Sequence, residues 1–135
     1  KAAIAEGIVP GAGLALLRAA AAIEKTEGDF EGDERTGLRI LRTALEAPTR
    51  QIGENAGVDG GVIVDRMKSS QGNVGYDAAL GRYTDLVEAG IIDATKVLRV
   101  GLENAVSTAS LLLLTEATLT ELPEPKSAPA PLNEG

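Results

Sequence analysis

The stretch Asp93–Leu114, DATKVLRVGLENAVSTASLLLL, predicts the longest helix of the chain and with it the fold class. Asp93 occupies the position of an N-cap, where a carboxylate accepts hydrogen bonds from the free amides of the first helical turn. We therefore expect a helix from Ala94 to about Leu114. We do not expect it to span a membrane, because no apolar run approaches the roughly 20 residues that a bilayer requires.

Working outward, the preceding sequence predicts four further helices. Lys1 to Glu6 shows no N-cap and is closed by Gly7, so we expect the end of a helix in a chain cut from a longer polypeptide. The other three are expected from Gly13 to Ile23, from Asp33 as a cap, and from Asp59 or Gly60.

Apolar spacing predicts the inward faces of two of these helices. The third helix carries leucines at helical spacing, and the fourth carries an apolar inward side: Leu38, Leu41 and Leu45, then Val62, Ile63 and Met67. Pro48 is expected to interrupt or kink the third helix, because proline lacks an amide proton and clashes with the previous turn.

The strand signals are short. Gln71-Gly72-Asn73 is typical of a turn, and Val74-Gly75-Tyr76 predicts a strand with a partner strand or a helical turn at 83–87. Residues 117–122 alternate as in a terminal strand, and the proline-rich segment 123–135 is expected to form a flexible tail. The predicted fold is mainly α: an antiparallel helical bundle with a short β-hairpin and a terminal strand, forming one domain over residues 1–122.

Composition excludes several classes of function. Aromatic residues make up 2% of the 135 residues and hydrophobic residues 44%, so the core must consist of Ala, Leu, Ile and Val. The net charge of −7 and the lack of a basic stripe argue against nucleic-acid binding. With no His and no Cys, His-based triads, thiolate metal sites and disulfides are impossible. Any chemistry must use carboxylates, Lys, hydroxyls or backbone groups.

Four candidate sites follow, each with a plain structural alternative. Gly11-Ala12-Gly13 before a helix is typical of a phosphate cradle or simply of a tight turn. Asp93 can hold both hydroxyls of a ribose or only cap its helix. The small side chains of Ala78 and Ala79 beside Asp77 leave room for a flat ring, or they only pack tightly under a hairpin. The acids Asp29, Glu31 and Asp33 resemble calcium ligands but lack the required glycine and closing Glu, so a solvated loop is favoured.

Taken in order, five segments resemble the group I chaperonins of the GroEL type. They are Glu6–Gly13, Ala44–Ile52 (the family's ALEAPLRQI), Gly75–Ala79 (GYNAA), Ala89–Val97 (xGIxDPTKV) and Thr115–Ala117 (TTEA). The resemblance implies the carboxy-terminal half of an equatorial, ATP-binding domain, in the cytoplasm or an organelle matrix. It also implies a homo-oligomeric ring, with unfolded clients and a co-chaperonin bound through domains outside this chain.

The resemblance also implies a role for individual residues. Gly11 and Ala12 would line the nucleotide, and Asp93 would hold the ribose hydroxyls. Ile91 would pack on the base. The adenine and ribose would be flanked by Asp77, Ala78 and Ala79. The sequence departs from the pattern at Ala12, where the middle glycine of three is usual, and at Asp77, where Asn is usual. Ala94 also replaces the usual helix-opening proline.

The parts that would hold the phosphates, Mg and K, and the Asp that activates water, belong to other segments of such a protein. We therefore expect no catalytic residue and no metal ligand here, although the parent would be an ATPase. We also expect the isolated chain to self-associate or to be poorly ordered. The alternative is a helical interaction or scaffold domain without nucleotide dependence, which Ala12 and Asp77 favour; an independent enzyme is poorly supported.

Overall fold

The computed structural model describes residues 1–114, which fall into two compact units. The first unit comprises residues 1–101, and the second begins at Leu102. The predicted terminal strand and the tail lie outside the described residues.

Helices dominate the described residues, as predicted. The helices are α1 (Ala2–Glu6), α2 (Leu14–Thr26), α3 (Gly32–Asn55), α4 (Gly60–Ser69) and α5 (Thr95–Leu114), with a short 3-10 turn at Glu27–Asp29. The strands are β1 (Ile8–Pro10), β2 (Val74–Asp77), β3 (Arg82–Asp85) and β4 (Ile92–Ala94). The mainly α fold class with a β-hairpin is confirmed.

The four strands form two antiparallel pairs. Strands β2 and β3 make the predicted hairpin, with Tyr76 opposite Tyr83. Strand β1 pairs with β4, which places Val9 opposite Asp93. The sequence indicated only a short apolar step at β1, because its pairing partner lies far along the chain.

The core of the first unit joins α2 and α4 to the hairpin. Its buried side chains are Leu14, Leu17, Ile63, Val64, Met67, Tyr76 and Leu86. Arg18 adds a polar link on α2, because its guanidinium donates to the carbonyls of Ser70 at 2.7 Å and Gly72 at 3.2 Å. The segment that leads into β2 is thereby tied to α2.

The prediction for helix α4 was correct only in part. Helix α4 begins at Gly60, one of the two predicted starts, and Asp59 caps it, since its carboxylate accepts from the amides of Gly61 and Val62. Val62, however, is 58% exposed, and Val64 is buried in its place. The buried face of α4 is rotated from the predicted one.

Helix α3 differs from its prediction at two points. It begins at Gly32, so Asp33 lies inside the first turn and the N-cap position falls to Glu31, whose side chain makes no capping bond. The helix also continues through Pro48 without interruption. Leu45 and Thr49 are buried on either side of the proline, and this packing offsets the single backbone hydrogen bond that proline removes.

The acidic loop after α2 contains a buried carboxylate rather than only solvated acids. The Glu27 side chain is 8% exposed and lies beside the guanidinium groups of Arg35, Arg39 and Arg42, which we call the arginine cluster. Arg39 donates a hydrogen bond to Oε1, whereas Arg42 lies 3.1 Å from Oε2 without hydrogen-bond alignment. The bond from Arg39 lowers the pKa of Glu27 against the opposing effect of burial, with further help from the three positive charges.

Helix α5 corrects the expectation about apolar length. It has 20 residues, and an 18-residue window of it reaches a mean hydropathy of 1.4 with none of that window buried. By length and composition alone it is able to cross a membrane. Core helices of water-soluble proteins show the same length and composition, so one such helix is weak evidence for a membrane segment.

Candidate functional site

The turn between β1 and α2 has an unusual backbone. The amide of Leu14 donates to the carbonyl of Gly11 at 3.0 Å, which closes a four-residue turn. The φ angles of its central residues are 53° at Ala12 and 78° at Gly13, as in a type I′ turn. Such a turn favours glycine at both positions, and here alanine occupies the first.

Gly11 joins this turn to the segment that precedes β4. Its amide donates to the carbonyl of Ile91 at 2.9 Å, and a Cβ at position 11 would lie 3.1 Å from the same oxygen. A larger residue at position 11 would therefore need the Ile91 backbone to move by a few tenths of an ångström.

Thr49 of α3 supports the turn from the other side. Its hydroxyl donates to the carbonyl of Ala12 at 3.0 Å, and Thr49 is only 1% exposed. A Cβ at Gly13 would overlap the Thr49 hydroxyl and would lie 3.1 Å from the Thr49 amide nitrogen. Sequence reasoning missed Thr49; the available signal was a hydroxyl four residues after Leu45, on the same face of α3.

Asp93 lies in β4 and not at the start of α5, so the predicted N-cap is wrong. Strand pairing with Val9 holds its backbone, and α5 begins two residues later at Thr95. Asp93 is half-buried. Within residues 1–114 its carboxylate makes no hydrogen bond or ion pair.

Asp77 has a structural partner. It is buried, and its Oδ1 accepts from the amides of Ala79 at 3.0 Å and Leu80 at 3.1 Å. These bonds shape the turn between β2 and β3, while Ala78 and Ala79 are exposed. The carboxylate oxygen that stabilises the hairpin is thus already engaged by backbone donors.

The structure brings one group of predicted residues together directly. Pairing of β1 with β4 places the Gly11–Leu14 turn beside Ile91 and Asp93, and both Ala12 and Ile91 pack against the core cluster. The Asp77 turn joins this group through its hairpin, because Tyr76 belongs to the same core cluster.

No metal site accompanies these residues. Among residues 1–114 there is no group of three His, Cys, Asp or Glu that could hold a metal ion. The candidate site offers backbone amides, a carboxylate and an apolar side chain.

Comparison with known proteins gives the family. The model of the TCP-1/cpn60 chaperonin family matches residues 1–122. Chaperonin GroEL 5 of Bradyrhizobium diazoefficiens is 67% identical over 126 residues, which are 93% of this chain and 23% of that protein. The chain thus spans about a quarter of the length of this relative.

Two solved structures share the fold. A group III chaperonin in the open state matches with a TM-score of 0.80 and 26% identity, over 87% of this chain and 25% of that one. An open-state monomer of a group II chaperonin from Methanococcoides burtonii, at 20% identity and a TM-score of 0.75, covers 80% of this chain and 28% of that one and supports the fold alone. The chain belongs to the TCP-1/cpn60 chaperonin family, and its identity to GroEL 5 assigns it to the GroEL type.

Proposed function

We propose that this chain forms the adenine and ribose side of the nucleotide pocket in an ATP-dependent protein-folding chaperonin. The observation that carries the proposal is the half-buried Asp93 carboxylate, which has no partner among residues 1–114. A partly buried charge without a partner is costly, so the site favours a ligand with hydrogen-bond donors. The two hydroxyls of a ribose are such donors.

The geometry around Asp93 supports the same ligand. The Gly11 amide meets the Ile91 carbonyl two positions before Asp93, so the turn and the Asp93 backbone lie roughly 7 Å apart along the strand. This spacing is comparable to the length of one nucleoside, and the apolar side chain of Ile91 would contact its base. Gly11, Ala12 and Asp93 are thus proposed as binding residues, with Ala78 and Ala79 near the base.

Asp77 needs a narrower role than the resemblance implied. Because its Oδ1 accepts two backbone hydrogen bonds, its main contribution is to hold Ala78 and Ala79 in place. Any contact with the base would use the remaining oxygen, which only accepts hydrogen bonds when ionised.

The remaining functions belong to segments that this chain would join. We propose that those segments hold the phosphates, Mg and K, and supply the group that activates water, while this chain positions the nucleoside. The subunit would assemble into a homo-oligomeric ring in the cytoplasm or an organelle matrix. Clients and a co-chaperonin would bind through other domains.

The test is nucleotide affinity of the subunit that carries this chain, measured by titration calorimetry. We expect Asp93→Ala to weaken ATP binding by about 10–100-fold, since two hydrogen bonds to a charged group are lost. The control is Asp65→Ala, which removes an exposed carboxylate from α4.

A ligand lacking both ribose hydroxyls sharpens the test. Dideoxy-ATP should bind the wild type more weakly than ATP does, and should bind the Asp93→Ala variant about as well as ATP does. Equal ATP binding by wild type and Asp93→Ala would refute the role of Asp93.

A second candidate is a chaperonin-derived scaffold domain that does not depend on nucleotide. The engaged Asp77 carboxylate and the alanine in the type I′ turn favour it, because both restrict the proposed pocket. A subunit that binds neither ATP nor ADP at millimolar concentration would establish this alternative.

A further inference from the structure

We propose that Thr49 is a positioning residue that holds the Gly11–Leu14 turn in its nucleotide-binding conformation, a need created by alanine at position 12. The inference rests on the proposed function, because it concerns the same pocket. Thr49 itself is buried behind the turn and touches its carbonyl side.

The hydrogen bond of Thr49 differs from those of other helical threonines. Thr36, Thr43 and Thr108 each donate to the carbonyl four residues earlier in their own helix. Thr49 instead reaches Ala12, 37 residues away and on another element. Its hydroxyl therefore serves a tertiary contact in place of the usual local bond.

This bond determines the orientation of one peptide group. The carbonyl of Ala12 and the amide of Gly13 belong to the same trans peptide and point in opposite directions. Because Thr49 draws the carbonyl toward α3, the Gly13 amide points away from α3. Among residues 1–114 the amides of Ala12 and Gly13 have no acceptor, so both remain donors for a ligand.

Alanine at position 12 makes the support necessary. Its φ of 53° lies in the left-handed region, which glycine adopts freely and alanine does not. Without the Thr49 bond, we expect the turn to move toward conformations with negative φ at Ala12, in which the Gly13 amide no longer keeps this orientation. Both residues also depart from the family pattern quoted above, which has glycine and leucine at these positions.

A double-mutant cycle in the subunit that carries this chain tests the inference. Thr49→Val keeps the size of the side chain and removes the hydroxyl, and Ala12→Gly removes the need for support. We expect Thr49→Val to weaken ATP binding by about tenfold with Ala12 present, and by less than about twofold in the Ala12→Gly background. Thr49→Ser keeps the hydroxyl and should bind within about threefold of wild type.

Steady-state ATPase measurements separate positioning from general loss of structure. The KM for ATP should rise in Thr49→Val while kcat stays unchanged, at a temperature well below unfolding. Equal effects of Thr49→Val in both backgrounds would overturn the inference.

Hydrogen exchange distinguishes this failure from failure of the proposed function. The Leu14 amide, which closes the turn, should exchange about tenfold faster in Thr49→Val and be little changed in the double variant. If no variant binds ATP but the exchange rates are coupled, the proposed function fails and the support by Thr49 stands. Uncoupled exchange rates would refute the support itself.

Discussion

The variant Gly13→Ala gives the most demanding test of the geometry of the turn between β1 and α2. The added methyl would overlap the Thr49 hydroxyl and lie 3.1 Å from the Thr49 nitrogen and 3.2 Å from its Cβ. Rotating the Thr49 side chain moves the hydroxyl and the γ-methyl but not the nitrogen or Cβ, which belong to the rigid part of α3. The substitution also places alanine at a φ of 78°.

The two costs are separable. A left-handed alanine costs about 1–2 kcal/mol, and overpacking of a close contact costs about 1–3 kcal/mol. We therefore expect Gly13→Ala to reduce the free energy of unfolding of this region by about 3 kcal/mol. Adding Thr49→Ala removes part of the overlap, so the double variant should be about 1–2 kcal/mol more stable than the sum of the two single effects.

Hydrogen exchange of the Leu14 amide, which bonds to the Gly11 carbonyl, and of the Leu17 amide, which bonds to the Gly13 carbonyl, gives this local free energy. A loss of about 3 kcal/mol corresponds to roughly 100-fold faster exchange. The matched control is Gly37→Ala in α3, where a Cβ meets nothing within 4 Å; it should stabilise the helix by about 0.5–1 kcal/mol. If Gly13→Ala exchanged like wild type, the close approach of α2 to α3 would be wrong.

Three other substitutions have defined outcomes. Glu27→Gln should make the free energy of unfolding fall less steeply as the pH is lowered into the acid range. Because the folded state lowers the pKa of Glu27, the ionised carboxylate stabilises the fold above about pH 4.5, and this stabilisation is lost as the pH falls through the folded-state pKa. Asp29→Asn is its control, and an unchanged fall of stability with pH would contradict the ion pairs with the arginine cluster. Arg18→Gln should destabilise the hairpin by about 1–2 kcal/mol, seen as faster exchange in β2, because two carbonyl bonds are lost. Arg66→Ala should reduce the free energy of unfolding by about 0.5–1 kcal/mol, because it removes a cation 3.9 Å from the centre of the Tyr83 ring. The same change should raise the pKa of Tyr83, which burial already raises, still further. Ultraviolet titration measures this pKa, and an unchanged value would refute the contact.

Local signals in the sequence predicted local structure well. The start of α4 was predicted at Asp59 or Gly60, and it depends on a local signal, because the Asp59 carboxylate bonds to amides two and three residues away. The hairpin at Tyr76 was recognised because turn residues and strand residues are adjacent in the chain. The family resemblance, which depended on five ordered segments, is confirmed by the family match.

Contacts between distant segments were not predictable in the same way. Asp93 resembled a cap until β1 paired with its strand, and nothing near Ile8–Pro10 indicates that partner. Thr49 and Glu27 are polar residues whose burial depends on how α2 packs on α3, so their spacing alone gave no sign of their partners. The roles of Gly11, Ala12, Asp77, Ala78, Ala79 and Asp93 toward a nucleotide remain predictions.

The pairing of β1 with β4 has a consequence for the order of folding. Beside it, the Glu6 carboxylate binds the Arg99 guanidinium 93 residues later, at 2.6 and 3.0 Å. During synthesis, the turn at Gly11 emerges before β4 and cannot meet Ile91 until the roughly 80 residues between them have left the ribosome. Contacts of such high sequence separation form slowly. A chain that stops before β4 contains α2, α3 and α4, yet it lacks the strand that carries Asp93 and the proposed ribose contact.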